Sequence, residues 1–182
     1  MPSPNPRLAP STLDRVKTIS DIVSVWVGLV ALLFGGIFAM IQYLDKERAD
    51  QVKYSLDFLQ KFNSPPVIEA RKAVLAAWTP NRGRLTTALA KYSSEPQAYP
   101  NVVSEVIETK NLNDPLITLF DFYESLQICV ETRVCEASTS SSLFQRDARM
   151  LFQLHFPFIE EQRKILSDDQ FGQKLEIFAM GK

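Results

Sequence analysis

The chain has 182 residues, 46% hydrophobic and 23% charged, with a formal net charge of -1. That balance excludes a chain disordered over most of its length, because the aliphatic and aromatic content can build a core. It also argues against a nucleic-acid binder, which usually carries a basic face. Two cysteines and a single histidine are too few for a disulfide scaffold or a four-ligand zinc site. No metal or cofactor is expected.

The first segment, 1–18, holds Pro2, Pro4, Pro6 and Pro10 and reads as a flexible or extended tail. The next, 19–45, contains an uncharged run from 22 to 44, bracketed by Asp21 and Asp45. As a helix this run is about 35 Å long, enough to span a hydrocarbon core of about 30 Å. A cleavable signal peptide would have an apolar region of about 7–15 residues and end at small residues. Gln42-Tyr43-Leu44-Asp45 offers no such site. The segment is therefore predicted to be a single, retained transmembrane helix. Trp26 and Tyr43 lie toward its ends, where amphipathic rings favour the interface. Arg7, Arg15 and Lys17 on one flank balance Lys46, Arg48, Lys53 and Lys61 on the other, so the charge rule leaves the orientation open. Ser24, Gly28, Ala31, Gly35 and Ala39 recur at intervals of three and four on one helix face. Small residues let a second transmembrane helix approach, so this face predicts a membrane-protein partner or self-association.

Residues 46–63 continue as a juxtamembrane helix, with Ala49, Val52, Leu56 and Leu59 at helical spacing, until Asn63-Ser64-Pro65-Pro66 stops it. Residues 64–182 then read as a compact domain of five or six helices. The first covers 67–78, with Val67, Val74 and Trp78 on one side, and is broken by Thr79-Pro80-Asn81-Arg82-Gly83. A short helix over Leu85–Tyr92 and the loop SSEPQAYPN precede another over Val102–Thr109. Asn113-Asp114-Pro115 starts the most apolar helix, 115–132, with Asn113 or Asp114 as cap. The serine-rich run 138–142 is expected to cap the next helix, which Pro157 ends or kinks. Final helical turns lie in 158–166 and 170–178. Nothing alternates as strands do, and the chain reads as all-α.

Catalytic constellations are lacking. There is no Gly-rich phosphate loop and no G-x-S-x-G elbow. His155, between Leu154 and Phe156, reads as a structural or surface histidine. Glu160-Glu161 are adjacent and share no helix face. Cys129 and Cys135 flank a chain reversal. In an oxidising compartment they can form a clip; in the cytosol they stay thiols, with Cys129 as a small core residue. Arg71, Glu124 and Arg163 sit beside apolar runs. They form a polar network if their helices pack together, or else each reaches solvent separately.

The stretches Phe58–Val74 and Leu119–Arg163 add a resemblance. Ala70-Arg71, Phe122-Tyr123-Glu124, Cys129, Cys135 with Glu136 after it, and Gln162-Arg163 are similar to an uncharacterised family of short bacterial proteins. That family pairs an N-terminal membrane helix with a small helical domain of unknown function. The resemblance covers most of residues 20–166, implies a shared network of Arg71, Glu124 and Arg163, and brings no activity with it. Together these features predict a non-catalytic, single-pass protein of the bacterial inner membrane, an accessory or assembly subunit of a larger complex. A membrane-tethered sensor using Cys129 and Cys135 or a helical pocket is the alternative.

Overall fold

The computed structural model describes the backbone of residues 12–181 and the side chains of Trp26 and of 32–181. All regular structure among the described residues is helical: α1 (Thr12–Phe62), α2 (Val67–Ala90), α3 (Ala98–Thr109), α4 (Asn113–Glu131), α5 (Ala137–Leu166) and α6 (Gln173–Met180). The chain divides into two compact units, Met1–Glu47 and Arg48–Lys182.

The first unit holds the N-terminal part of α1. Helix begins at Thr12, which corrects the expectation of a flexible tail reaching 18. Pro10 is the last proline before Pro65, so nothing in between bars helical hydrogen bonds. Residues 1–11 lie outside the described residues. Leu32, Phe34, Ile37, Phe38, Met40, Ile41 and Tyr43 are all exposed. Among the described residues no helix is long and apolar enough to cross a membrane. The expected span covers 19–45, and the side chains of 19–25 and 27–31 lie outside the described residues.

The second unit is built around α4, as its apolarity predicts. Leu116, Leu119, Phe120, Tyr123 and Leu126 are buried, and α4 packs against α2, α5 and α6. The last turns of α1 belong to this unit. Phe62 is buried against Phe122 and Phe144, with ring centroids 5.2 and 5.4 Å away. Edge-to-face and tilted aromatic pairs of this kind add to the area they bury. The last turns of α1 thus pack on the helical core through Phe58, Leu59 and Phe62. Asn63 Nδ2 and Ser64 Oγ donate to the carbonyls of Leu59 and Lys61, which also accept the backbone amides of Asn63 and Ser64.

Four helix boundaries differ from the sequence expectation. Helix α2 runs straight through Thr79–Gly83 to Ala90. Pro80 and Ala76 are both on the exposed side, so solvent reaches the carbonyl that Pro80 leaves without a donor. Thr79 Oγ1 and Asn81 Nδ2 tie the neighbouring turn to the carbonyls of Leu75 and Ala77. Helix α3 starts at Ala98, because Pro100 falls in a first turn that needs no amide hydrogen. At the start of α4, Leu112 is the N-cap and no side chain caps; Asn113 is already helical. For α5 the cap is Glu136, whose carboxylate accepts from the Thr139 amide, while the serine run lies within the first turns.

Pro157 kinks α5. The break shows at His155, with φ -107° and ψ 15°, and the helix resumes to Leu166. Lacking an amide hydrogen, Pro157 leaves the carbonyl of Gln153 unbonded. Tyr99 Oη of α3 lies 3.0 Å from that oxygen and 2.8 Å from the carbonyl of Leu154, and donates to them. Burial, with Tyr92 nearby, pushes the Tyr99 hydroxyl up to about 12, so it keeps its proton. Replacing Tyr99 with Phe leaves these acceptors without a donor and should cost about 1–3 kcal/mol. Urea unfolding of the full chain, followed by circular dichroism, measures it; an unchanged midpoint contradicts this account of the kink.

Candidate functional site

A cleft of about 620 Å³ lies between α2 and α5. Its walls follow from spacing. Ile68, Arg71, Leu75, Trp78, Arg82 and Leu85 recur every three or four residues along one face of α2. Asp147, Met150, Leu151 and Leu154 do so on α5. Leu119 and Tyr123 of α4 and Phe62 of α1 close the floor.

At the base, Trp78 Nε1 donates to His155 Nε2 at 3.0 Å. That fixes the tautomer: Nε2 is the acceptor, so Nδ1 carries the hydrogen and donates to the Leu151 carbonyl at 2.9 Å. His155 is fully buried, and burial lowers its pKa from 6.5 to about 4. Neutral and bonded at both nitrogens, it is not placed to act as a general base. The sequence reading of a structural or surface histidine resolves to a buried structural one.

On the cleft rim Arg71 lies 3.8 Å over the Phe62 ring and 3.9 Å from Asp147. Both ends of the ion pair are more than a third exposed, so it is worth at most about 1 kcal/mol. Stacking on Phe62 holds Arg71 at least as firmly. Lys72 and Arg82 are exposed and have no ion-pair partner among the described residues.

The expected Arg71–Glu124–Arg163 network does not form. Glu124 Oε1 accepts from the Gly172 amide at 3.0 Å, and burial raises its pKa despite that bond. Arg163 donates from Nε to the Phe171 carbonyl at 2.9 Å and pairs with Glu160 and Glu176. Glu124 and Arg163 therefore grip the same turn before α6 from two sides, while Arg71 belongs to the cleft. The turn disfavours a side chain at Gly172: φ is +71°, and a Cβ would approach Ile159 Cγ2 to 3.1 Å.

Cys129 and Cys135 form a disulfide. The Cys129 carbonyl also accepts the amides of Val134 and Cys135, so the loop is closed twice over. Helix α1 docks on this loop. Gln51 Nε2 donates to the Arg133 carbonyl at 3.0 Å, and Ser55 Oγ accepts the Glu136 amide at 2.9 Å and lies 3.1 Å from Ser140 Oγ. Ser55, Ser140 and Cys135 are all buried. Hydrogen bonds to the Thr139 amide and hydroxyl hold the Glu136 carboxyl down at about 2. Gln51 and Ser55 carry no mark in the sequence, since a polar residue every fourth position reads as a solvated helix face.

Of the expected transmembrane packing face, Ser24, Gly28 and Ala31 lie outside the described side chains. Gly35 and Ala39 are exposed, and nothing lies within 4 Å of where a Gly35 Cβ would stand. Among the described residues no group of three His, Cys, Asp or Glu could hold a metal ion. No family model, curated protein or solved structure matches the chain.

Two outcomes follow. Between pH 6.5 and about 4 the unfolded chain takes up a proton at residue 155 that the folded chain refuses, so stability should fall across that window as pH is lowered. The loss from this residue approaches about 3 kcal/mol. Urea midpoints of wild type and His155→Gln against pH isolate it; parallel curves contradict it. Replacing both cysteines by serine opens a short loop and should cost about 2 kcal/mol, with faster hydrogen exchange at the Glu136 amide. Unchanged exchange there means the disulfide does not hold α1's docking loop.

Proposed function

We propose that the chain is a membrane-anchored, non-catalytic interaction protein. In this reading, residues 22–44 cross a bilayer once, and the helical unit from Arg48 onward recognises a partner as an accessory or assembly subunit. One observation carries it: the large apolar side chains between Leu32 and Leu44 are exposed, Leu32 by 79% and Phe34 by 71%. Contiguous apolar surface of this extent, lacking any charge from 22 to 44, needs lipid or protein to cover it. The length of that uncharged run suits lipid.

The disulfide supports a side. Such bonds persist in oxidising compartments, so in this reading the helical unit lies outside the cytoplasm of a bacterial inner membrane, with the N-terminus inside. The loop's double closure and its bonds to α1 fit a structural clip, which favours the interaction reading over a sensor with the cysteine pair as receiver.

Alkaline-carbonate washing of membranes, followed by mild-detergent purification and mass spectrometry, tests the proposal. The full chain should stay with the bilayer and co-purify with a membrane protein in fixed ratio. Gly35→Leu with Ala39→Leu should reduce that ratio severalfold if the small-residue face packs. Intact chain in the soluble fraction, or a strictly monomeric detergent-solubilised species, overturns it. Maleimide labelling of Cys129 and Cys135 in intact cells only after reduction fixes the side.

A further inference from the structure

We infer that the cleft between α2 and α5 is the recognition groove, and that its occupant is an acidic amphipathic helix of a partner protein. The inference rests on the interaction reading above and names what that partner presents. The groove follows α2 from Ile68 to Leu85, a length of about 25 Å at the helical rise per residue. That accommodates four to five turns of a second helix laid along it, the common way a groove between helices takes a partner segment.

Its chemistry selects the occupant. The floor is apolar: Trp78, Leu119 and Leu151 are buried there. Trp78 Nε1 and the His155 ring are bonded to each other and to the Leu151 carbonyl, so they have no free hydrogen bond with which to orient a polar ligand. On opposite lips Leu75 and Met150 stand 61% and 54% exposed, although each faces the groove. An apolar stripe seated between them would cover both, and methionine adapts to varied partners. The rim charge is one-sided. Arg71, Lys72 and Arg82 line α2, against Asp147 alone on α5. Asp147 is already turned toward Arg71, and Lys72 and Arg82 are without ion pairs among the described residues. A helix with leucines at three- and four-residue spacing and flanking glutamates complements both floor and rim. One flanked by lysines meets repulsion on the α2 side.

The full chain carrying Trp26→Phe, in phosphatidylcholine nanodiscs, leaves Trp78 as the sole tryptophan. Three probes are titrated into it and into empty nanodiscs: a Trp-free 16-residue helix-forming peptide, with a leucine stripe and glutamate flanks; the same peptide with lysine for every glutamate; and laurate. The glutamate peptide should shift Trp78 emission saturably and bind at least tenfold more tightly than the lysine peptide. Lys72→Glu with Arg82→Glu should invert that preference, and Met150→Asp should weaken both peptides. All three substituted positions are exposed, and far-UV circular dichroism verifies the fold. Equal binding of the two peptides, no saturable shift, or laurate binding that excludes the peptide overturns the inference. So does a dimer that Met150→Asp dissociates, since the occupant is then a second copy. If a native partner co-purifies equally with wild type and the Lys72→Glu/Arg82→Glu variant, the groove assignment falls and the interaction reading stands. If nothing co-purifies, that reading falls while the titration still judges the groove.

Discussion

Pro157 cannot donate a helical hydrogen bond, and much of the second unit is arranged around that missing hydrogen. A straight α5 would present one face to one set of neighbours. The kink at His155 lets its two halves serve different ones. Before the kink, Phe144 and Ala148 join the aromatic cluster of Phe62 and Phe122. After it, Ile159 abuts Gly172, and Arg163 ties the turn into α6. The kink is tolerated because Tyr99 supplies the missing donor, which in turn fixes where α3 starts to pack. His155 occupies the break itself, where its ring reaches Trp78 and closes the base of the cleft. One residue's backbone chemistry thus locates α3, the floor of the cleft and the approach to α6.

Apolar burial supplies the stability of this unit, but it does not by itself choose a register between helices. Leucine and phenylalanine faces of about the right size specify a unique arrangement less sharply than polar pairs do. Ser55, Gln127, Ser140 and His155 are the buried polar side chains among the described residues, and none has an unpartnered buried polar atom. Ser55 and Ser140 lock α1 to α5, and Trp78 with His155 locks α2 to α5. Displacing either pair by one turn would bury unsatisfied polar groups, at about 1–3 kcal/mol each. The surface ion pairs do far less. Arg84–Glu105 and Lys91–Glu95 are about half exposed at both ends, where such pairs contribute little.

Helical content, the centrality of α4 and the break at Pro157 were legible because each depends on local pattern: apolar period, composition, or proline. The passage of α2 through Pro80 was not. A proline's effect depends on whether its orphaned carbonyl reaches solvent, and that is a tertiary fact. The same proline chemistry gives opposite outcomes: the carbonyl orphaned by Pro80 is met by solvent, and that orphaned by Pro157 by Tyr99 of another helix. The three charged residues, Arg71, Glu124 and Arg163, stand beside apolar runs in the sequence. Their partners were not deducible, since two of them bond backbone groups around Gly172, and backbone atoms carry no sequence signature. Ser55 and Gln51 were invisible for the complementary reason: their value comes from a loop some eighty residues away.

The disulfide loop shows how these scales connect. Closing Cys129 to Cys135 does not enlarge the core appreciably, yet it holds the Arg133 carbonyl and the Glu136 amide where α1 meets them. Arg133 sits at φ 58°, a conformation that L residues adopt reluctantly, so the loop needs external constraint to keep it. The bond provides that constraint, and Glu136 then caps α5 from the same segment. Loop geometry, helix start and the seating of α1 are consequently one coupled arrangement. A change in the redox state of two sulfurs would act first on the last turns of α1, and only secondarily on the helices that form the cleft.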